Sequence, residues 1–216
     1  IDKSRLLTWD AEDKNIDFLL QGIAGADMIN TVSPTYAKEI MTPEFGEGLN
    51  EVIRSREARV YGVLNGIDVN SFDPEQDEVI YRKYTVNNWC KGKAENKEKL
   101  QDDLGLDVSR NTFLVGFVGR LDPDQKGLDL IQGAWQRIKS KDVQMVILGT
   151  GDPEWEEIFA KMGEKHDNFS AQIKFDKTLA RKILAGCDAL VMPSRYEPCG
   201  LPQMMAMRYG TVPVVR

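Results

Sequence analysis

The chain has 216 residues, 42% hydrophobic and 29% charged, with a net charge of −6. That composition fits a soluble globular protein of one large or two small domains. The acidic balance gives no support for general nucleic-acid binding, and no apolar run approaches the ~20 residues needed to span a bilayer, so neither nucleic acid nor membrane is expected as a partner.

Ile1-Asp2-Lys3-Ser4-Arg5 lacks the apolar core of a signal peptide. A helical run around Asp17 to Ile23 precedes a strand over Ala26 to Ser33. Ser33-Pro34 reads as an N-cap with proline in the first turn, opening a helix to Met41. Thr42 to Leu49 is loop, and a second strand, Arg59 to Leu64, is closed by the turn signal Asn65-Gly66. From Ile67 to Asn111 charge rises, with Lys91, Lys93, Glu95, Lys97, Glu98, Lys99, Asp102 and Asp103 close together, which reads as a solvated helical connection. The expected organisation is the tail of one α/β domain over residues 1–66, a linker and domain start over 67–111, and a second domain over 112–216, incomplete at its C-terminus.

From Thr112 onward the pattern is regular. Strands at Phe113–Val118, Val143–Leu148, Gln172–Phe175, Ala189–Met192 and Thr211–Val215 alternate with helices at Leu128–Ile138, Glu154–Met162, Lys177–Ala185 and Met204–Gly210. Such alternation means βαβ units and a parallel, Rossmann-like α/β sheet. The three cysteines, Cys90, Cys187 and Cys199, share no metal-ligand spacing and favour a reducing compartment.

In an open parallel sheet, ligands bind outside the carboxyl ends of the strands. That rule selects four loops. Gly119 to Gly127 offers Arg120 and Lys126. Gly149-Thr150-Gly151-Asp152 is a glycine loop at a helix N-terminus, and Phe175-Asp176 puts an aromatic ring at a strand end. Pro193 to Gln203 offers Glu197 and the backbone N–H groups of Cys199, Gly200 and Leu201. Cations and helix N-termini suit a diphosphate, a ring suits a base, and a carboxylate suits sugar hydroxyls, so together the loops point to a nucleotide-sugar. Each has a plainer reading: surface charges, a core phenylalanine, an ordinary βα turn. Glu154 stands where a dinucleotide fingerprint needs its third glycine, which disfavours a dehydrogenase. Asp122-Pro123-Asp124 imitates a metal-binding pair, but Arg120 and Lys126 can neutralise a diphosphate themselves, and no metal or other cofactor is expected. His166 lies in a polar stretch and reads as surface.

Several motifs in order carry a family resemblance: Thr31-Val32-Ser33-Pro34-Thr35-Tyr36-Ala37, Thr42 to Leu49, Leu64-Asn65-Gly66-Ile67-Asp68, Lys93-Ala94-Glu95-Asn96-Lys97, Gly119-Arg120-Leu121 with Gln125-Lys126-Gly127, Leu148 to Pro153, and Ser194 to Leu201. The chain resembles the bacterial glycogen synthase and plant or algal starch synthase family, which has two Rossmann-like domains of GT-B type. The resemblance implies transfer of glucose from ADP-glucose to the non-reducing end of an α-1,4-glucan, with retention. Arg120 and Lys126 would then hold the diphosphate, and Glu197 would contact the donor glucose. Gly149, Gly151, Asp152, Cys199, Gly200 and Leu201 would line the donor site. Phe175 stands where the family places a tyrosine against adenine, and Asn65 would face the cleft.

The family pattern R-L-x-x-Q-K-G is one residue shorter than Arg120 to Gly127, which puts convergence of the two cations in question. Lys174 replaces a small residue before the ring. Met205 stands where related GT-B transferases carry a second glutamate. The family's N-terminal K-x-G-G-L and H-N-x-x-x-Q-G motifs and its T-G-G-L segment are not in the chain, so the resemblance implies a fragment that makes no glucan alone. It also implies a cytoplasmic location in a bacterium, or a plastid in a plant or alga. The alternative is a nucleotide-sugar-binding or glucan-associated module without turnover.

Overall fold

A computed structural model of the protein describes residues 16–216, which divide between Gly66 and Ile67 into two units. The segment Ile1 to Arg5 lies outside the described residues. In the first unit, the Asp17 carboxylate accepts from the Leu20 N–H at 3.0 Å and opens α1 (Phe18–Gly25). Ser33 Oγ accepts from the Tyr36 N–H at 3.0 Å and opens α2 (Pro34–Glu39), with Pro34 in its first turn. The parallel strands β1 (Ile29–Thr31) and β2 (Val60–Gly62) are shorter than the sequence pattern suggests. An unanticipated helix, α3 (Asn50–Ser55), precedes β2. Asn65-Gly66, expected as a turn, runs as irregular chain. The tight Asn-Gly turn serves antiparallel hairpins, and β2 pairs in parallel, so no strand returns directly from it.

The second unit is a helix, α4 (Trp89–Asp103), followed by β3 (Phe113–Val118), α5 (Leu128–Ile138), β4 (Val143–Gly149), α6 (Pro153–Lys165), β5 (Phe169–Ile173), α7 (Lys177–Gly186), β6 (Ala189–Met192), α8 (Leu201–Arg208) and β7 (Val212–Val215). All five strands pair in parallel in the order β5-β4-β3-β6-β7. Successive side chains leave a strand on opposite faces, and both faces here are buried. Val115, Phe117, Met145 and Ile147 pack with Ile131 and Trp135 of α5 and Phe159 of α6. Leu114, Val146, Leu148 and Leu190 pack with α4, α7 and α8 through Leu100, Ile183 and Ala206.

Two predicted boundaries are corrected. β5 begins at Phe169, whose ring sits 5.0 Å from Trp135 and 6.3 Å from Phe159, and it ends at Ile173. Burying Phe169 fixes that register, and Phe175 falls beyond the strand. α8 starts at Leu201 rather than Met204, because left-handed Gly200 (φ 78°) and Pro202 set its first turn.

The largest correction concerns α4. Its charges are not a uniformly solvated face. Lys93, Asn96, Lys97 and Gln101 recur at helical spacing and are all buried. Lys93 Nζ donates to Ala185 O (3.1 Å), Tyr209 O (3.3 Å) and Thr211 Oγ1 (2.7 Å), so a cation meets the carboxyl ends of α7 and α8. Lys97 Nζ lies 2.7 Å from Asp188 Oδ2, which also accepts from the Leu114 N–H at 2.7 Å. Asn96 Nδ2 donates to Arg82 O at 2.7 Å, and its Oδ1 accepts from the Tyr81 N–H at 3.0 Å. Gln101 Nε2 donates to Gln144 Oε1 at 2.7 Å. Residues 67–111 are therefore fastened to the sheet by hydrogen bonds.

Burial pushes the Lys93 ammonium down to about 8 from its ordinary 10.5. The folded chain then binds fewer protons than the unfolded chain between those two values, and stability rises with pH across that window. Urea unfolding of the wild type and Lys93→Met at pH 7 and pH 10 should show the wild type gaining on the variant at the higher pH. An unchanged difference would contradict this account of Lys93.

Candidate functional site

The strand order reverses between β3 and β6, and the loops leaving those two strands flank the resulting crevice. One loop carries Lys126, the other Glu197, and the two side chains meet. Lys126 Nζ lies 2.8 Å from Glu197 Oε2, and Ser194 Oγ donates to the same oxygen at 3.0 Å. Both side chains of the ion pair are largely buried, 17% and 25% exposed.

Four further contacts tie the loops together. The Arg195 N–H donates to Gln125 O at 2.7 Å. The Arg195 guanidinium donates to Pro123 O at 3.0 Å and to both Asp129 carboxylate oxygens at 3.0 Å. Gln125 Nε2 reaches Tyr196 O at 3.4 Å. Gly127, with φ 61°, permits the approach, since a Cβ there would stand 2.1 Å from Pro193 O. Sequence reasoning missed Arg195, Gln125 and Asp129 as a clamp, although two of the three lie inside motifs it had marked.

The additional residue between Arg120 and Lys126 is taken up in a turn. Asp122 Oδ1 accepts from the N–H groups of Asp124 and Gln125, both at 3.1 Å, and Asp122 O accepts from the Lys126 N–H at 2.9 Å. Lys126 still reaches Glu197. Arg120 instead turns onto its own loop: its Nη2 is 2.8 Å from Asp122 Oδ2 and 3.3 Å from Gln125 Oε1, and the side chain is 66% exposed.

The helix N-termini along this edge divide into two kinds. Asp152 accepts from the N–H groups of Glu154 (3.0 Å) and Trp155 (3.1 Å), capping α6. Glu156 reaches back to Thr150 Oγ1 and to the Gly151 N–H (2.8 Å), and those hydrogen bonds lower its carboxyl below the usual range. Asp176 caps α7 through the Leu179 N–H at 2.9 Å, which likewise lowers its carboxyl. By contrast, α5 and α8 begin at left-handed Gly127 and Gly200, with no side-chain cap. Those two helices flank the crevice. The N-terminus of α8 brings Cys199, Gly200 and Leu201 to it.

Gly149 and Gly151 serve close backbone approach. A Cβ on Gly149 would stand 2.0 Å from Gly119 O, and one on Gly151 would stand 2.5 Å from Leu121 O. Leu121 and Gly151 form a parallel bridge, with the Leu121 N–H on Thr150 O at 3.0 Å. The three loops after β3, β4 and β5 enclose a cavity of about 390 Å³ lined by Gly119, Arg120, Gly149, Thr150, Phe175 and Lys177 among others. Phe175, whose plainer reading was a core residue, is 79% exposed. Lys177 Nζ stands 5.9 Å from its ring centroid, and Lys174 turns to Asp176 at 3.1 Å. A larger cavity, about 700 Å³, lies at the opposite edge beside Asp107 and His166. It sits at the amino ends of the strands, away from the crevice, and lacks a cation–carboxylate pair of the kind at Lys126. Asn65 belongs to the first unit.

Residues 112–216 match the family model described as "Glycosyl transferases group 1", and residues 4–55 match the one described as "Starch synthase catalytic domain". Glycogen synthase of Thermotoga petrophila is 52% identical over 204 residues, covering 94% of this chain and 42% of its own length. The Thermotoga maritima enzyme is 53% identical over 202 residues, covering 93% and 41%. The chain belongs to the glycogen and starch synthase family. A further member, glycogen synthase of Anaeromyxobacter dehalogenans, is 47% identical and covers 96% of the chain and 44% of itself. The solved catalytic domain of starch synthase IV from Arabidopsis thaliana, bound to ADP and acarbose, aligns with a TM-score of 0.85 at 36% identity, covering 92% of this chain and 41% of its own. The chain thus spans about two-fifths of the length of the family members it matches. The second unit is a Rossmann-like domain of GT-B type, and the group 1 match takes in all four sheet-edge loops.

Gly149→Ala should lower stability by about 1–3 kcal/mol, the range for overpacking, because its Cβ would meet the backbone of the neighbouring loop. Thermal unfolding measures this, and a loss below about 0.5 kcal/mol would contradict the backbone-approach role.

Proposed function

We propose that the protein carrying this chain transfers glucose from ADP-glucose to the non-reducing end of an α-1,4-glucan with retention, and that this chain supplies the donor-binding part. The observation that carries the reading is the Lys126–Glu197 contact at the switch point, between two helices that lack side-chain caps. Membership in a family of glycogen and starch synthases, and the ADP bound by the starch synthase IV domain, support ADP-glucose as the donor.

In this reading the adenine lies on the exposed face of Phe175 and the diphosphate runs past Arg120 toward Lys126. A pyrophosphate leaving group gains negative charge as its bond to the sugar breaks. Lys126 and the N-termini of α5 and α8 are fixed positive groups facing that charge, and Arg120 joins them when the diphosphate draws it from Asp122, so together they stabilise the transition state more than the ground state. Glu197, held by Ser194 and Lys126, accepts hydrogen bonds from the donor glucose. When the diphosphate takes up Lys126, the lysine bridges phosphate and carboxylate, orienting the sugar relative to its leaving group. Backbone N–H groups from Cys199 to Leu201 complete the anion site. These side chains neutralise the leaving group themselves, so the proposed reaction needs no metal ion.

Two measurements test this. Calorimetric titration of the chain with ADP should give saturable binding that Phe175→Ala weakens by about 1–3 kcal/mol, the usual worth of a base–aromatic stack. UDP should bind less well and respond less to that substitution. In the protein that carries the chain, Lys126→Ala and Glu197→Ala should each lower glucan elongation from ADP-glucose by about 100-fold or more, a loss far larger than their effect on the folded fraction at the assay temperature. Elongation at wild-type rates in either variant would remove the proposed role of that residue.

A further inference from the structure

The loop after β3 contains an acidic residue that contacts one of the two cations directly. Asp122 uses its two oxygens for different purposes. Oδ1 accepts from the N–H groups of Asp124 and Gln125 and holds the turn. Oδ2 lies 2.8 Å from Arg120 Nη2. Leu121 is bridged in strand conformation to Gly151, and alternation along a strand puts residues 120 and 122 on the same side. Arg120 lines the 390 Å³ cavity with Phe175. The Asp122 side chain is 25% exposed against 66% for Arg120, so the carboxylate is the fixed partner and the guanidinium the movable one.

We propose that Asp122 is an internal competitor for the nucleotide's phosphates: its carboxylate occupies Arg120 in the empty site and sets a lower affinity for ADP than the loop would otherwise have. This rests on the donor-site reading above and adds a specific regulator of affinity to it. A diphosphate arriving at Arg120 meets a guanidinium that is already neutralised. It must draw Arg120 away from Asp122 or bind beside a like charge. When the nucleotide leaves, Asp122 recovers the guanidinium, which assists release. Lys126 is not subject to this control, because its partner is Glu197 from the other loop.

Asp122→Asn separates the two uses. An asparagine carbonyl keeps the Oδ1 acceptor for the turn, while its amide nitrogen cannot pair with a guanidinium. Titration of the full 216-residue chain with ADP should show Asp122→Asn tightening binding about two- to fivefold, the span of an exposed ion pair. Adenosine, which has no phosphate, should bind with unchanged affinity and reports that the cavity is intact. In an Arg120→Ala background, Asp122→Asn should have no effect on ADP. Weaker or unaltered ADP binding in Asp122→Asn, an equal change with adenosine, or tightening that persists without Arg120 would overturn the inference. Normal weakening by Phe175→Ala and Lys126→Ala alongside such a result brings down the role of Asp122 alone. Indifference of ADP to Phe175 and Lys126 brings down the donor-site reading and this inference with it.

Discussion

The site depends on the order of five parallel strands. Because β3 lies between β4 and β6, the chain leaves two neighbouring strands in opposite lateral directions and opens a crevice at their carboxyl ends. Two loops distant in sequence then face each other across it. Their separation is fixed by the Arg195 contacts to Pro123, Gln125 and Asp129, and by a glycine at 127 where a side chain would strike Pro193 O. The Lys126–Glu197 contact follows from that spacing. It is a product of the fold more than of either loop.

A chain with a net charge of −6 still gathers positive groups at one crevice by local arrangement. Carboxylates neutralise the helix N-termini away from the crevice: Asp152 and Glu156 on α6, Asp176 on α7. The two helices beside the crevice begin with left-handed glycines and carry no side-chain cap. The positive end of a helix dipole favours negative charge, so a crevice flanked by two helices without side-chain caps suits the anion of the proposed donor. Under the proposed competition Asp122 belongs to the same scheme, its carboxylate lying 2.8 Å from Arg120 Nη2 and so setting how much of that charge a ligand would meet.

The regular part of this fold was legible in the sequence because buried parallel strands are continuous apolar runs. Phe113–Val118, Leu128–Ile138 and Ala189–Met192 fall where the pattern put them. The helix α4 was not, because its buried stripe is Lys93, Asn96, Lys97 and Gln101, and a polarity pattern sends such residues to water. Beside nearer partners at Arg82, Arg110 and Ser109, Lys93, Lys97 and Gln101 reach Ala185, Asp188 and Gln144, all more than forty residues away, and no local rule finds those distant partners. Phe175 was misplaced by one register choice, since the ring of Phe169 fills the core position that ends the strand at Ile173. At the site, the residue types that suit a nucleotide-sugar were visible. Their pairing was not: which cation meets Glu197 depends on how the turn at Asp122 absorbs an extra residue.

The central claim is that one nucleotide-sugar site is built at the β3–β6 crevice and extends to Phe175. A crystal structure of the protein with ADP tests it most directly. The account predicts the adenine stacked on Phe175, with the diphosphate oxygens within hydrogen-bond distance of Lys126 and Arg120. ADP bound at the opposite edge beside His166, or at this edge with its phosphates directed away from Lys126, would contradict it.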